Sequence, residues 1–200
     1  MYNPNRFAYM NFKTNDPLEN SFISELASYR EARALHNSLR DDTNKESQCF
    51  NRAHVWTYET LLNKKKQLGK VWIFFTDKFI KRYQYKWWFH IAPYTKLTDQ
   101  SKLVLDRTYA KKPLTPRRWA SIFIGNNHGC PEIKDYKHYE ESQDSEYCYS
   151  IYTSQYYWQP WNIEILSKQG LIAFGYNLLD LEIAYNDSIK NWSGVIGPLQ

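Results

Sequence analysis

Three residues of this 200-residue chain have side chains and settings suited to nucleophilic chemistry. His90 lies in Trp87-Trp88-Phe89-His90-Ile91-Ala92-Pro93-Tyr94, and Asp106 closes Lys102-Leu103-Val104-Leu105-Asp106. Both stretches are rich in aromatic and β-branched residues. The piece between them, Lys96-Leu97-Thr98-Asp99-Gln100-Ser101, is mostly polar, so the pattern predicts a hairpin. Pairing centred near Thr98 sets His90 directly opposite Asp106, with Cβ atoms ~5 Å apart. An imidazole and a carboxylate at that spacing share a hydrogen bond that fixes the tautomer and favours the imidazolium. A one-residue slip in the pairing would put the two side chains on opposite faces. The nucleophile that would complete the set is Cys49, expected in the first turn of a helix, where the dipole and free backbone N–H groups stabilise a thiolate. Each feature also has a structural reading: a satisfied polar pair on adjacent strands, and a small buried cysteine.

The elements that must position these residues follow from local signals. Residues 1–16 read as an extended lead. Asp16-Pro17-Leu18-Glu19 has the form of a helix start, with Phe22, Leu26, Tyr29, Arg33 and Leu35 at helical spacing and an end near Arg40. Ser47 is the expected cap of the Cys49 helix, which runs through Ala53, Trp56 and Leu62 to Gly69 as its C-cap. Val71-Trp72-Ile73-Phe74-Phe75 is apolar enough for a central strand. Thr115 and Pro116 cap and open a short helix. Tyr147–Tyr152 reads as a strand continuing into Tyr156-Tyr157-Trp158-Gln159-Pro160-Trp161, aromatics that serve as a binding platform if exposed and as core if packed. Trp88, Tyr156 and Trp158 are the candidate substrate-binding side chains. Leu171, Phe174, Leu178, Leu181, Tyr185 and Ile189 form the apolar stripe of a last helix.

Composition narrows the class. The chain is 42% hydrophobic and 18% aromatic, with 17 Tyr and 8 Trp, which suits one core of modest aliphatic content. The net charge of +5 is spread along the chain, and Lys64-Lys65-Lys66 reads as the solvated end of a helix, so no nucleic-acid footprint is expected. No apolar stretch approaches the ~18 residues of a membrane span. No Gly-rich phosphate loop, dinucleotide fingerprint or internal repeat is present. Three cysteines suggest one bridge and one free thiol in an oxidising compartment. Cys130 and Cys148 suit the bridge because they close a polar, charged loop, which leaves Cys49 free. The polar start, Met1-Tyr2-Asn3-Pro4-Asn5-Arg6, is not a secretory signal, so a secreted or periplasmic protein implies a mature or trimmed form. A set of His128, Cys130, His138 and Cys148 matches no zinc spacing, and no metal is expected.

Cys49-Phe50-Asn51-Arg52-Ala53-His54, Trp88-Phe89-His90-Ile91-Ala92-Pro93, and Val104-Leu105-Asp106 with a downstream Trp119 resemble three blocks of the bacterial protein-glutaminase family. The family pattern is Cys-x-x-Arg-Ala-His, Trp-x-His-Val-Ala-Pro and Val-x-Asp. The matched blocks span about residues 45–120, and Arg107 stands where that family usually has proline. The resemblance implies Cys49 as nucleophile, His90 as general base and acid, and Asp106 as orienter, with no metal or organic cofactor. The implied reaction is deamidation of protein or peptide glutamine to glutamate and ammonia. His54 lies about 140° round the helix from Cys49 and is expected to pack instead. Arg52 shares the Cys49 side and is expected to assist the site or form a salt bridge.

The expected fold is α+β, papain/transglutaminase-like: an antiparallel sheet flanked by helices, with the nucleophile at a helix N-terminus. A single domain spans 1–200, with a lead and helix in 1–44, a catalytic core in 45–124, and a loop insertion, aromatic strand and last helix in 125–200. The expected partners are glutamine-bearing proteins or peptides, and the expected state is a monomer. A transglutaminase or a cysteine peptidase would use the same triad, and a non-catalytic secreted binding module would keep only the scaffold.

Overall fold

The structure is a computed structural model and describes residues 8–9, 18–19, 22–125, 130–194 and 196. Its elements in chain order are β1 (Ala8–Tyr9), β2 (Glu25–Leu26), α1 (Tyr29–Ser38), α2 (Cys49–Lys64), β3 (Gly69–Phe75), α3 (Asp77–Tyr83), β4 (Phe89–Leu97), β5 (Lys102–Val104), α4 (Pro116–Ile124), α5 (Tyr136–Glu141), β6 (Cys148–Ser154), α6 (Pro160–Lys168), β7 (Ala173–Phe174) and α7 (Leu178–Ser188). The main sheet has the order β2-β4-β3-β6, with β5 also on β4, and β1 pairs with β7. Pairing is antiparallel except for β2, which runs parallel to β4.

β3 is central, and all seven of its residues are buried. It is apolar on both faces because helices cover both. Trp72 and Phe74 meet Phe50 and Ala53 of α2, while Val71, Ile73 and Phe75 meet Trp119 and Ala120 of α4. α7 packs on the outer side of α2, through Leu181, Ala184 and Tyr185 against Val55 and Tyr58. That sandwiching explains why α2 is buried without a break from Phe50 to Tyr58. Among the described residues no helix is long and apolar enough to cross a membrane.

The first expected helix is corrected. It starts at Tyr29, with Ser28 Oγ accepting from Glu31 N, and Leu26 belongs to β2. Asp16 and Pro17 lie outside the described residues. α2 stops at Lys65 in the left-handed region (φ 52°), without a glycine. Gly69 instead opens β3 opposite Tyr94, where an added Cβ would lie 2.2 Å from Tyr94 Cε1. The ring crosses the backbone there, and glycine is what leaves it room. The last stripe is also interrupted: Phe174 sits in β7, α7 starts only after the Asn177 cap, and Leu178 is exposed. The loop after α4 contains a short helix, α5, which the sequence reading leaves as loop.

The hairpin forms with a shifted register. Tyr94 faces Val104 and Lys96 faces Lys102, so the centre is Asp99 and the frame sets His90 level with Thr108. Moving the centre by one residue moves each partner by two, which preserves the face. Asp106 therefore stays on the His90 side as a diagonal neighbour, within reach of a long side chain.

Candidate active site

α2 begins where a turn is tied down from both sides. Ser47 is buried, and its Oγ donates to Asn44 O (2.6 Å) and accepts from Arg52 Nη1 (3.1 Å). The N-cap is thus Gln48, without a side-chain cap bond, and not Ser47. Arg52, itself buried, also donates to the carbonyls of Asn44, Lys45 and Ser47. From the other side, Asp187 of α7 accepts Gln48 N (2.9 Å) and Asn51 Nδ2 (2.7 Å) through one oxygen, Oδ2. Asn51 Oδ1 in turn accepts from Trp158 Nε1 at 2.8 Å. These bonds fix Cys49 as the first residue of α2, half-buried and unbridged. Among the described residues the amides of Cys49 and Phe50 have no acceptor within the chain, as expected of a first helical turn.

His90 is brought to the same place by β4. It is buried (3% exposed), with Trp87, Tyr109, Trp119 and Phe123 around its ring at centroid distances of 5.7, 5.1, 5.5 and 4.5 Å. Nε2 lies 2.8 Å from Asp106 Oδ2. The Cys49 side chain is also within hydrogen-bonding reach of His90, and with Nε2 engaged the nitrogen left to it is Nδ1. Burial alone would lower the His90 pKa. The hydrogen bonds and charges of Asp106 and Cys49 oppose that and raise it to about 9, so the imidazolium is the favoured form at neutral pH.

Asp106 is 1% exposed and fully engaged. Oδ2 accepts from His90 Nε2 and Trp119 Nε1 (2.9 Å), and Oδ1 from the backbone N–H groups of Thr108 (3.1 Å) and Tyr109 (3.3 Å). Burial pushes its pKa up, but His90, the Trp119 donor and the charge of Arg52 hold it below the usual carboxylate value. The turn after Asp106 is anchored by Arg107, which donates to the carbonyls of His36 (3.2 Å) and Asn37 (2.6 Å) and pairs with Asp41 (3.0 Å). A half-buried cysteine sulfur, an imidazole poised to hold its proton and an oriented carboxylate are the parts for nucleophilic attack on a carbonyl carbon.

The remaining candidates divide. Cys130 and Cys148 form the expected disulfide, which takes both cysteines out of any metal-binding set. His138 packs against Tyr149, and His128 lies outside the described residues. Among the described residues no group of three potential metal ligands assembles. Of the substrate-binding candidates, Trp88 is exposed (37%), but Tyr156 and Trp158 are core residues at 8% and 7%, and this corrects the platform reading. The chain turns after β6 instead of extending, and Pro160 opens α6. His54 points away from Cys49 as expected, and its Nδ1 meets Lys70 Nζ (2.7 Å) in the core, where Lys70 also donates to Tyr157 O (2.6 Å). Burial lowers the pKa of both His54 and Lys70. Among the described residues Arg52 has no salt-bridge partner and sits in a cage of carbonyls. The roles of Trp119, Tyr109 and Asp187 are missed by sequence reasoning. Only Trp119 left a signal, as the tryptophan downstream of the third block.

The crystal structure of pro-protein-glutaminase is similar at a TM-score of 0.50 and 13% identity, over 90% of this chain and 63% of that one. A mutant of pro-protein-glutaminase gives 0.51 and 13%, over 86% and 60%. The NMR structure of protein-glutaminase from Chryseobacterium proteolyticum gives 0.46 and 14%, over 70% and 80%. The first two similarities place the chain in the same α+β fold. No curated protein matches the sequence. The glutaminase family model matches residues 22–123, just over half of the chain, and so reaches back through α1 as well as across the three sequence blocks. By that match the chain belongs to the glutaminase family.

Proposed function

We propose that this glutaminase deamidates glutamine side chains held in proteins or peptides, with Cys49 as nucleophile, His90 as general base and acid, and Asp106 as the residue that orients His90. The observation that carries the assignment is the convergence of Cys49, at the first position of α2, and Asp106 Oδ2, at 2.8 Å, on one buried imidazole. That arrangement of helix, strand and acid is also the support for the papain/transglutaminase-like description.

Each step has a group to perform it. The Cys49 proton passes to His90, and the thiolate attacks the carboxamide carbon. The oxyanion develops beside the start of α2, where the unengaged Cys49 N–H is the natural donor. His90 then gives its proton to the departing nitrogen, so ammonia leaves and a thioester remains. Water, activated by the same imidazole, releases glutamate and restores the thiol. The disulfide supports a secreted or periplasmic location, and the one sheet that carries both the His90 strand β4 and the Cys148 strand β6 supports one catalytic domain.

The test is ammonia release from casein by the wild type and by Cys49→Ala, with intact mass recorded on the casein. The expected result is a gain of ~1 Da per site without chain cleavage, absent in the variant. Fragments would establish a peptidase, and cross-links or amine incorporation a transglutaminase. Undiminished turnover by Cys49→Ala would remove the nucleophile assignment.

A further inference from the structure

The His90 end of the site opens at the surface through two aromatic side chains. Trp87 is 37% exposed and Tyr109 45%, and both rings contact the imidazole. Each is flanked by exposed cations: Lys86 directly precedes Trp87, and Lys111 and Lys112 follow Tyr109. Arg118, also exposed, precedes Trp119, the donor to Asp106. Among the described residues none of these four has an ion-pair partner, whereas Lys78 and Arg82 are matched to Glu146 and Arg107 to Asp41. One carboxylate, the exposed Glu46 of the turn before α2, reaches Tyr109 electrostatically, and the exposed Lys45 beside it offsets its charge, while Asp187 is occupied by Gln48 N and Asn51. The rim beside His90 therefore carries an uncompensated positive charge next to flat apolar faces. Below it His90 and Asp106 are buried and Cys49 is half-buried, which suits a slender side chain such as glutamine, while the flanking substrate residues stay on the rim.

We propose that this rim selects glutamines lying in acidic stretches of a protein substrate, with flanking Asp or Glu side chains received by Lys86, Lys111 and Lys112. The inference rests on the protein-glutamine reading of the site. Exposed pairs are individually weak and screened by salt, so the selection comes from several charges together and fades as ionic strength rises. Charge matching at a rim acts chiefly on encounter, so the preference appears in kcat/KM.

The experiment compares three peptides of equal length, each with one central glutamine, flanked by glutamates, serines or lysines. Ammonia release is followed at low and high salt. For the wild type the expected order of kcat/KM is glutamate, serine, lysine, with about a tenfold span at low salt that shrinks at high salt. In the triple variant Lys86→Glu, Lys111→Glu, Lys112→Glu the order reverses, with the lysine-flanked peptide preferred. Because the readout is a ratio within one preparation, a partial loss of folded enzyme does not mimic it. Turnover of all three peptides with equal kcat/KM overturns the selection and leaves the glutaminase reading intact. So does a variant that slows all three in proportion. Failure to turn over any peptide or casein overturns the protein-glutamine reading, and this inference with it.

Discussion

Trp119 donates its indole N–H to Asp106 Oδ2 at 2.9 Å, to the same oxygen that receives His90 Nε2. One oxygen thus holds two donors from two elements, α4 and β4, and the imidazole is aimed by a carboxylate that is itself aimed. Trp119→Phe keeps a ring in this buried position but removes the donor. We expect kcat to fall ~10–100-fold, as when such supporting partners are lost elsewhere. Stability in urea should drop by ~1–3 kcal/mol, because Asp106 loses a partner it cannot replace from water. A kcat equal to that of the wild type would mean that the indole only fills space.

The raised pKa of His90 predicts the alkaline side of the rate profile. The imidazolium must protonate the departing ammonia, so kcat should fall as pH rises through about 9. Asp106→Asn removes the charge that sustains this value. Turnover should fall by ~10³–10⁴-fold through a misoriented imidazole, and the alkaline limb of the residual activity should move to lower pH. A limb that stays in place would show that Asp106 does not set the protonation of His90.

Opposed pH effects on stability follow from two buried bases. The pKa of His90 is raised above 6.5 on folding, so its contribution is complete below 6.5 and is lost as pH climbs through about 9. Lys70 is shifted the other way by burial, so its contribution is present above 10.5 and is lost as pH falls from there. Between pH 6.5 and 9 the two slopes have opposite sign. Removing either should unmask the other in urea melts taken at a series of pH values. Lys70→Met should give a stability that decreases with pH across this window, and Asp106→Asn one that increases. Below 6.5, His54 adds an acid-side loss, since burial lowers its pKa. Parallel curves for the two variants would refute the scheme.

Gly69→Ala tests the close approach in the strand pair that carries His90. The added Cβ would sit 2.2 Å from Tyr94 Cε1, and the ring cannot retreat because it is fully buried and packed edge-on against Tyr152 at 5.0 Å. Overpacking of this kind costs ~1–3 kcal/mol, measurable as a lowered urea midpoint. Combining it with Tyr94→Leu should recover part of the loss. An alanine variant as stable as the wild type would show that the strands part easily.

What the sequence made legible is what local chemistry dictates. The Cys49 helix start, the hairpin and the Thr115–Pro116 start of α4 come from residues close to one another in the chain. The Cys130–Cys148 bridge came from counting thiols. The misses are long-range or competitive. Phe22 and Leu26 have helical spacing with Tyr29, yet Leu26 is claimed by β2 and the helix starts only after the Ser28 cap. Gly69 suits a helix end, yet it is claimed by Tyr94 across the sheet. The hairpin centre shifts to Asp99, and the pair survives because that shift preserves the face. Tyr156 and Trp158 carry no local mark that separates a buried aromatic from an exposed one. Asp187 meets Gln48 across 139 residues, and only the packing of α7 on α2 brings them together.

Arg52 gives the last prediction, because it bonds to the carbonyls of the turn before Cys49 and, among the described residues, to no carboxylate. The guanidinium is buried and reaches the carbonyls of Asn44, Lys45 and Ser47 as well as Ser47 Oγ, all in the turn that delivers Cys49. A planar fork with several N–H donors can bridge that many acceptors, and an ammonium on a flexible stem cannot do so in the same geometry. Its charge also helps keep Asp106 ionised. Arg52→Lys therefore keeps the charge and loses the cage. The turn should loosen, with kcat falling at least tenfold through misplacement of the thiol while the alkaline limb near 9 stays in place. Hydrogen exchange should rise at residues 44–48 more than in β3. If activity falls together with a shift of the alkaline limb and exchange at 44–48 is unchanged, Arg52 acts through its charge on Asp106 and not through the turn.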